Sequence, residues 1–207
     1  MKKATLLAVL VQALTFIVSA AALPNPAGMK KTIDNLQAAF NGESNANAKY
    51  LAFAKKADAE GYGPVASLFR AAARAEQVHF EHHAAVIKAL GGTPKAEIET
   101  PVVKSTRENV QASLEGETYE YTIMYPGFMV LAETEQIKDA ITTFQRASEA
   151  EAVHAALYAS VLKDMNAWKG AAKTFYVCPT CGNVMDTRPA SVCPLCGESG
   201  KSFMTIK

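Results

Sequence analysis

Glu76-Gln77-Val78-His79 and Glu151-Ala152-Val153-His154 decide the fold of this 207-residue chain. Each is a Glu-x-x-His pair inside a long helical pattern, and the second starts 75 positions after the first. Residues three apart share one face of a helix, so each pair aims a carboxylate and an imidazole the same way. Further out, Glu43 stands 33 residues before Glu76, and Glu117 stands 34 before Glu151. The chain reads as a helix pair followed by a second copy of it.

Four amphipathic segments carry these residues. The first, from Thr32 to Glu60, puts Ile33, Leu36, Phe40, Glu43, Asn47, Tyr50, Ala54 and Ala57 on one stripe. Its steps alternate between three and four, the period of a helix packed in a bundle. Gly61-Tyr62-Gly63-Pro64 stops it. The second, from Pro64 to Leu90, carries Leu68, Ala72, Glu76, His79, His83, Val86 and Leu90, and Gly91-Gly92-Thr93-Pro94 ends it. Residues 92–105 form a connection suited to the crossover of a ferritin-like bundle, closing at Ser105 as an N-cap. The third, from Thr106 to Glu133, carries Val110, Leu114, Glu117, Tyr121, Met124, Phe128 and Leu131; Pro126 should kink it or open one turn. The fourth, from Thr134 to Trp168, carries Ile137, Ile141, Phe144, Ser148, Glu151, His154, Tyr158 and Val161.

The acids fall on the apolar stripes, not on the polar faces. An ionised carboxylate in a bundle core costs on the order of several kcal/mol unless it is paired or bound to metal. A single Glu can lie at a stripe edge and reach solvent, a Lys or an Arg. Four converging acids repel one another unless cations sit between them. One Glu from each of two helices, plus Glu-x-x-His from each of two others, is the ligand pattern of di-iron carboxylate bundles. The halves differ at one place: Glu120 follows Glu117 by three, where Ala46 follows Glu43. An extra carboxylate lets one metal exchange ligands, a role that suits iron. His82 and His83 read as packed or solvated side chains, not ligands.

The four cysteines belong to one local device. Cys178-Pro179-Thr180-Cys181-Gly182 and Cys193-Pro194-Leu195-Cys196-Gly197 are two Cys-x-x-Cys knuckles for one tetrahedral metal. From the cysteines alone a structural zinc ribbon is the plainer reading, with iron open beside it and two disulfides a weaker third.

At the other end, Lys2-Lys3, the apolar run Ala4 to Val18 and small residues at Val18-Ser19-Ala20 and Ala20-Ala21-Ala22 read as a signal peptide over residues 1–22. The expectation is export to the periplasm without stable membrane association after cleavage; an uncleaved anchor is the alternative. Losing the two lysines takes the formal charge from +1 to −1. Such a balance carries no nucleic-acid footprint.

Taken together, the sequence resembles the rubrerythrin family. The resemblance rests on Ala39 to Ser44, Ala75 to His79, Glu115 to Thr122, Met124-Tyr125-Pro126, Ala150 to His154 and the two knuckles. It implies a mostly α fold: a ferritin-like four-helix bundle over 31–168, then a small rubredoxin-like four-cysteine metal module over 173–207. It implies a di-iron centre held by Glu43, Glu76, His79, Glu117, Glu120, Glu151 and His154, with Glu76 and Glu151 bridging and Glu120 and His79 exchanging on one iron. It moves the Cys178, Cys181, Cys193 and Cys196 site from zinc to iron. Tyr50 and Tyr125 match tyrosines near the di-iron centre, and read equally as core aromatics.

The implied activity is peroxidase: hydrogen peroxide reduced to water, with electrons from a donor protein through the Fe(Cys)4 site, as in an NADH peroxidase of unassigned donor. A homodimer is expected, with one subunit's module beside its partner's di-iron site. The competing readings are a ferroxidase or iron-handling protein, and a bundle with a structural zinc ribbon.

Overall fold

The computed structural model describes residues 30–207, so the expected leader over 1–22 lies outside the described residues. Helices α1 (Lys30–Ala59) and α2 (Gly63–Ala89) form the first hairpin. Its turn is closed by Tyr62 N–H on the Ala57 carbonyl (2.9 Å) and Gly61 N–H on Asp58 (3.1 Å), with Gly61 at φ +77°. That left-handed residue is where a helix C-terminus favours glycine.

The third long helix is interrupted. α3 (Thr106–Tyr119) starts at Ser105 with a capping box to Glu108, then gives way to a π turn, Glu120–Met124, before α4 (Tyr125–Thr134). Pro126 was expected to disturb this region; the π turn lies on its N-terminal side. A proline ring collides with the carbonyl four residues back, and a wider turn relieves that collision. Tyr125 N–H accordingly reaches back five residues to the Glu120 carbonyl. The extra residue shifts the stripe by one. Tyr125 and Ala132 are buried, whereas the expected Tyr121, Met124 and Leu131 are only partly so. α5 runs Lys138–Lys163, four residues later than the expected start at Thr134. Gln136, at φ +57°, closes α4 with the hydrogen-bond pattern that Gly61 makes after α1.

The crossover lies along α1 as if it were a strand. The amides of Gln37, Asn41 and Asn45 bond to the backbones of Lys95, Glu97 and Glu99, including Glu97 N–H to Asn41 Oδ1 and Glu99 N–H to Asn45 Oδ1, each 2.8 Å. Four helical residues rise about 6 Å and two extended residues about 6.6 Å, so the two periods stay matched over this length.

Two apolar cores fill the bundle. One contains Tyr50, Phe53, Phe69, Val110 and Tyr158; the other contains Leu36, Ile87, Tyr125, Phe144 and Ala147. On each long helix the acidic position falls in the gap between them. After α5, a 3₁₀ turn (Met165–Trp168) leads to β1 (Phe175–Val177), β2 (Val184–Met185) and β3 (Met204–Ile206). They form an antiparallel sheet ordered β2-β1-β3. Gly63 N–H bonds the Gly170 carbonyl (3.1 Å), Gly170 N–H bonds Gly61 (3.0 Å), and Phe175, Val177 and Val184 join the first core. The four-cysteine module therefore sits against its own chain's bundle.

Candidate metal centre

Glu43, Glu76, His79 and Glu151 bring one ligand atom each within 4.8 Å of one another, and so do Glu76, Glu117, Glu151 and His154. Glu76 and Glu151 belong to both sets. Glu151 Oε1 lies 2.7 Å from His79 Nδ1 and Oε2 lies 2.6 Å from His154 Nδ1. Glu76 Oε2 is 2.9 Å from His79 Nδ1, and Oε1 is 3.7 Å from His154 Nδ1. Each shared carboxylate thus offers one oxygen to each imidazole, the placement of a bridge between two cations.

The donor set fits a metal pair. Glu43 Oε2, Glu76 Oε1, Glu117 Oε2, both Glu151 oxygens and His154 Nδ1 are buried without a hydrogen-bond partner among the described residues. Close atoms that form no hydrogen bonds have lone pairs converging on shared points. Buried polar atoms are otherwise nearly always satisfied.

Burial, then the Glu76 and Glu151 carboxylates, pushes Glu43 well above the usual carboxylate range. Burial, with Glu151 and Glu76, pushes Glu117 up to about 8. Glu151 moves the other way: burial opposes its ionisation, but the His79 and His154 imidazoles overcome it. Burial would lower His79 and His154, yet the carboxylates around them raise both. Without cations the cluster must hold protons in their place.

Two tyrosines cross the cluster. Tyr50 on α1 donates to Glu117 Oε1 on α3 at 2.5 Å, and Tyr125 on α4 donates to Glu43 Oε1 on α1. Both rings are fully buried, so each is a core aromatic and a partner of an acid at once. Glu120 is not brought into either four-residue set. It sits on the π turn, partly exposed, and lines a cleft of about 500 Å³ between α1, the crossover and α3. Burial, then the Glu43 and Glu117 carboxylates, raises it well above its ordinary range. His82 and His83 also lie outside the sets. His83 is nevertheless fully buried and bonded to Tyr125, a contact the sequence reading did not include.

The four thiols are free and clustered, with Cys178 Sγ 3.6 Å from Cys196 Sγ and Cys181 Sγ 3.6 Å from Cys193 Sγ. A tetrahedron with metal–sulfur bonds of about 2.3 Å has edges of about 3.8 Å, so the cage has the right size. The knuckles repeat each other: Gly182 N–H bonds the Cys178 carbonyl and Gly197 N–H the Cys193 carbonyl, both at 3.0 Å. Hydrogen bonding from Cys181 brings the Cys178 thiol down to about 5, and Cys181 is correspondingly raised.

The first knuckle rests on the acid cluster. His79 Nε2 is 3.0 Å from the Cys181 carbonyl, and His154 Nε2 is 3.1 Å from the Gly182 carbonyl. A carbonyl only accepts, so both Nε2 atoms carry a proton and both Nδ1 atoms face the carboxylates, where a cation would take the place of the proton. This is the outer hydrogen bond that fixes a metal-binding histidine. A Cβ on Gly182 would lie 2.2 Å from His79 Nε2, so the close approach requires glycine as well as its φ of +76°. The expectation put this approach between subunits; here it is made within one chain.

Two shared carboxylates, two outer carboxylates and two imidazoles in a four-helix bundle, with a four-thiol cage docked on them, define a ferritin-like di-iron protein with a rubredoxin-like module. Residues 34–162 match the family model for rubrerythrin. The chain is 38% identical to nigerythrin of Nitratidesulfovibrio vulgaris over 173 residues, spanning 83% of this chain and 85% of the relative. It is 31% identical to rubrerythrin of Porphyromonas gingivalis over 183 residues, spanning 86% and 90%. The fully reduced, all-ferrous structure of nigerythrin superposes with a TM-score of 0.79 at 32% identity, over 94% of each chain. A Desulfovibrio desulfuricans bacterioferritin matches at a TM-score of 0.64 and 24% identity over 69% of this chain and 84% of its own, a likeness of fold. The chain belongs to the rubrerythrin family, and it contains both a carboxylate–histidine cluster and a four-cysteine cluster.

Proposed function

We propose that this member of a family of oxidative-stress di-iron proteins is a peroxidase that reduces hydrogen peroxide to water, with electrons entering through the four-cysteine site. The observation that carries this reading is the contact of the Cys181 and Gly182 carbonyls with both cluster histidines. A ferroxidase consuming free ferrous iron gives that contact no role.

In this reading Glu43 and His79 would hold one iron and Glu117 and His154 the other, with Glu76 and Glu151 shared between them. Glu120 would be the exchangeable ligand of the Glu43 side, and Cys178, Cys181, Cys193 and Cys196 would hold the third iron. A ferrous pair bound there would supply the two electrons needed to reduce peroxide. The chain's own residues do the rest. The carboxylates absorb the change in metal charge, Tyr50 and Tyr125 hold Glu117 and Glu43 in place, and the apolar cores exclude water. His79 Nε2–H and the Cys181 carbonyl make the shortest polar link between the two metal sites, within one chain.

A donor protein docks at the module, and the chain self-associates. Tyr119, Ile123 and Val130, 53%, 62% and 62% exposed along α3, the π turn and α4, support a second copy at that face.

The test is stopped-flow mixing of the reduced, iron-loaded full chain with hydrogen peroxide. Rapid peroxide loss with oxidation of the di-iron pair, then appearance of a ferric-thiolate chromophore as the four-cysteine iron gives up its electron, is expected. Cys178→Ser should retain one rapid turnover and lose continuous turnover. A reduced, fully loaded chain that leaves peroxide intact refutes the reading.

A further inference from the structure

We infer that His83 and Thr143 form a proton relay that serves the Glu43 side of the cluster through Tyr125. Thr143 Oγ1 lies 3.0 Å from His83 Nδ1, His83 Nε2 lies 3.2 Å from Tyr125 Oη, and Tyr125 Oη donates to Glu43 Oε1. His83 and Tyr125 are 0% exposed, so water does not interrupt the chain. Thr143, 6% exposed, lines a surface cleft of about 230 Å³ with His82, Asp139 and Arg146. The relay therefore begins at solvent and ends on a metal-binding acid.

Its direction follows from the donor inventory. A tyrosine hydroxyl has one hydrogen, and Glu43 takes it. His83 must then donate from Nε2 to the Tyr125 oxygen. A neutral imidazole has one donor and one acceptor, so Nδ1 accepts from the Thr143 hydroxyl. Burial, with the neighbouring His79 and His82, holds His83 down at about 3, so the ring is neutral. Every hydrogen in the chain points inward.

This inference rests on the peroxidase reading, because that reaction consumes protons. Hydrogen peroxide, two protons and the two electrons of the reduced metal pair give two waters: one O–O bond breaks and two O–H bonds form. As Tyr125 gives up its proton towards the cluster, it takes one from His83 Nε2. His83 takes one at Nδ1 from Thr143, and Thr143 is reloaded by water in the cleft. The imidazole is neutral before and after, having exchanged tautomers, and returns as the chain resets. His83 and Thr143 act through Tyr125 and are positioning residues, not metal ligands.

Two measurements test it. Nitrogen-15 NMR of the full chain loaded with diamagnetic zinc reads the His83 tautomer without turnover, with His83→Leu assigning the signal. The Nε2–H form is expected, and the Nδ1–H form overturns the relay. Single-turnover oxidation of the reduced, iron-loaded chain by peroxide is then compared in Thr143→Val and Thr143→Ser. The isosteric valine should slow it roughly ten-fold or more, and serine should restore it, with unchanged Mössbauer parameters in both. Valine as fast as wild type, or serine as slow as valine, overturns the relay. Wild-type protein that does not consume peroxide instead refutes the peroxidase reading, and the tautomer still reports on the hydrogen-bond chain.

Discussion

Around the acid cluster the two halves of the bundle match closely until the fourth residue past each histidine. On the first half that residue is His83, bonded to Tyr125 and Thr143 and so connected to a surface cleft. On the second half it is Tyr158, packed 5.9 Å from the Tyr50 ring, fully buried, with no hydrogen-bond partner for its hydroxyl among the described residues. The extra acid falls unevenly too, since Glu120 has Ala46 as its counterpart. One half is therefore sealed by aromatics and the other has polar access. A duplicated helix pair has become a fixed side and a working side around shared bridges.

The shared bridges give the severest test of that division. Glu151→Ala removes an oxygen from both sets and leaves His79 and His154 without their nearest carboxylate. Both cluster irons should be lost and the thiolate-bound metal kept, as read by metal analysis and Mössbauer spectroscopy. A variant that retains one cluster iron would make the halves independent sites. Next in size is Gly182→Ala, whose methyl group would collide with His79. Displacements of about 1 Å at a reacting contact can cost roughly a hundred-fold in rate. Re-reduction of the di-iron pair should slow to that degree while the visible spectrum of the four-cysteine site persists. An unchanged rate would mean that electrons do not pass through this contact.

The division is then sharpened by two matched variants. Tyr125→Phe cuts the hydrogen-bonded link between Glu43 and the cleft beside Thr143, and should slow peroxide reduction on the order of ten-fold. Tyr50→Phe removes the same kind of bond from Glu117 on the sealed half, and should cost about 1 kcal/mol of stability with little change in rate. Equal kinetic losses would erase the distinction between the sides.

Much of this arrangement was legible in the sequence because its signals are periodic. Acids on apolar stripes marked the cluster, and the paired 33- and 34-residue spacings marked which helices face each other. The knuckles were legible because a tetrahedral cage needs that local spacing. The missed features are those without a period. The π turn comes from a collision between Pro126 and a carbonyl one turn back, and it moved Tyr125 into the core in place of Met124. Gln136 occupies a left-handed position that glycine signals mark elsewhere, so the start of α5 was misplaced. Thr143 lies 60 residues from His83 and joins it only once α2 and α5 pack. Gly182 read as a knuckle glycine, and its second task against His79 needed the docked module to be seen.

The smallest expected effect isolates the sealed half by titration in protein lacking the di-iron pair. Burial and the Glu151 and Glu76 carboxylates raise Glu117 to about 8, far above its value in the unfolded chain. A carboxyl raised on folding holds a proton that the unfolded chain has already released. Its contribution is fully present below the unfolded pKa and disappears as pH rises through about 8. Other groups titrate nearby: Cys178, lowered to about 5, works in the opposite direction. Comparing wild type with Glu117→Gln cancels the groups that do not face Glu117, Cys178 among them, and the amide oxygen can still accept from Tyr50. Between pH 6.5 and 8.5 wild type should lose roughly 1–2 kcal/mol relative to the glutamine variant. That corresponds to about 2–4 °C in Tm per kcal/mol for a chain of this size, readable by calorimetry. Restoring the metals should abolish the trend, because cations then hold the carboxylate ionised at every pH in the window. A flat difference in the metal-free proteins would mean that Glu117 reaches solvent, and that the second half is as open as the first.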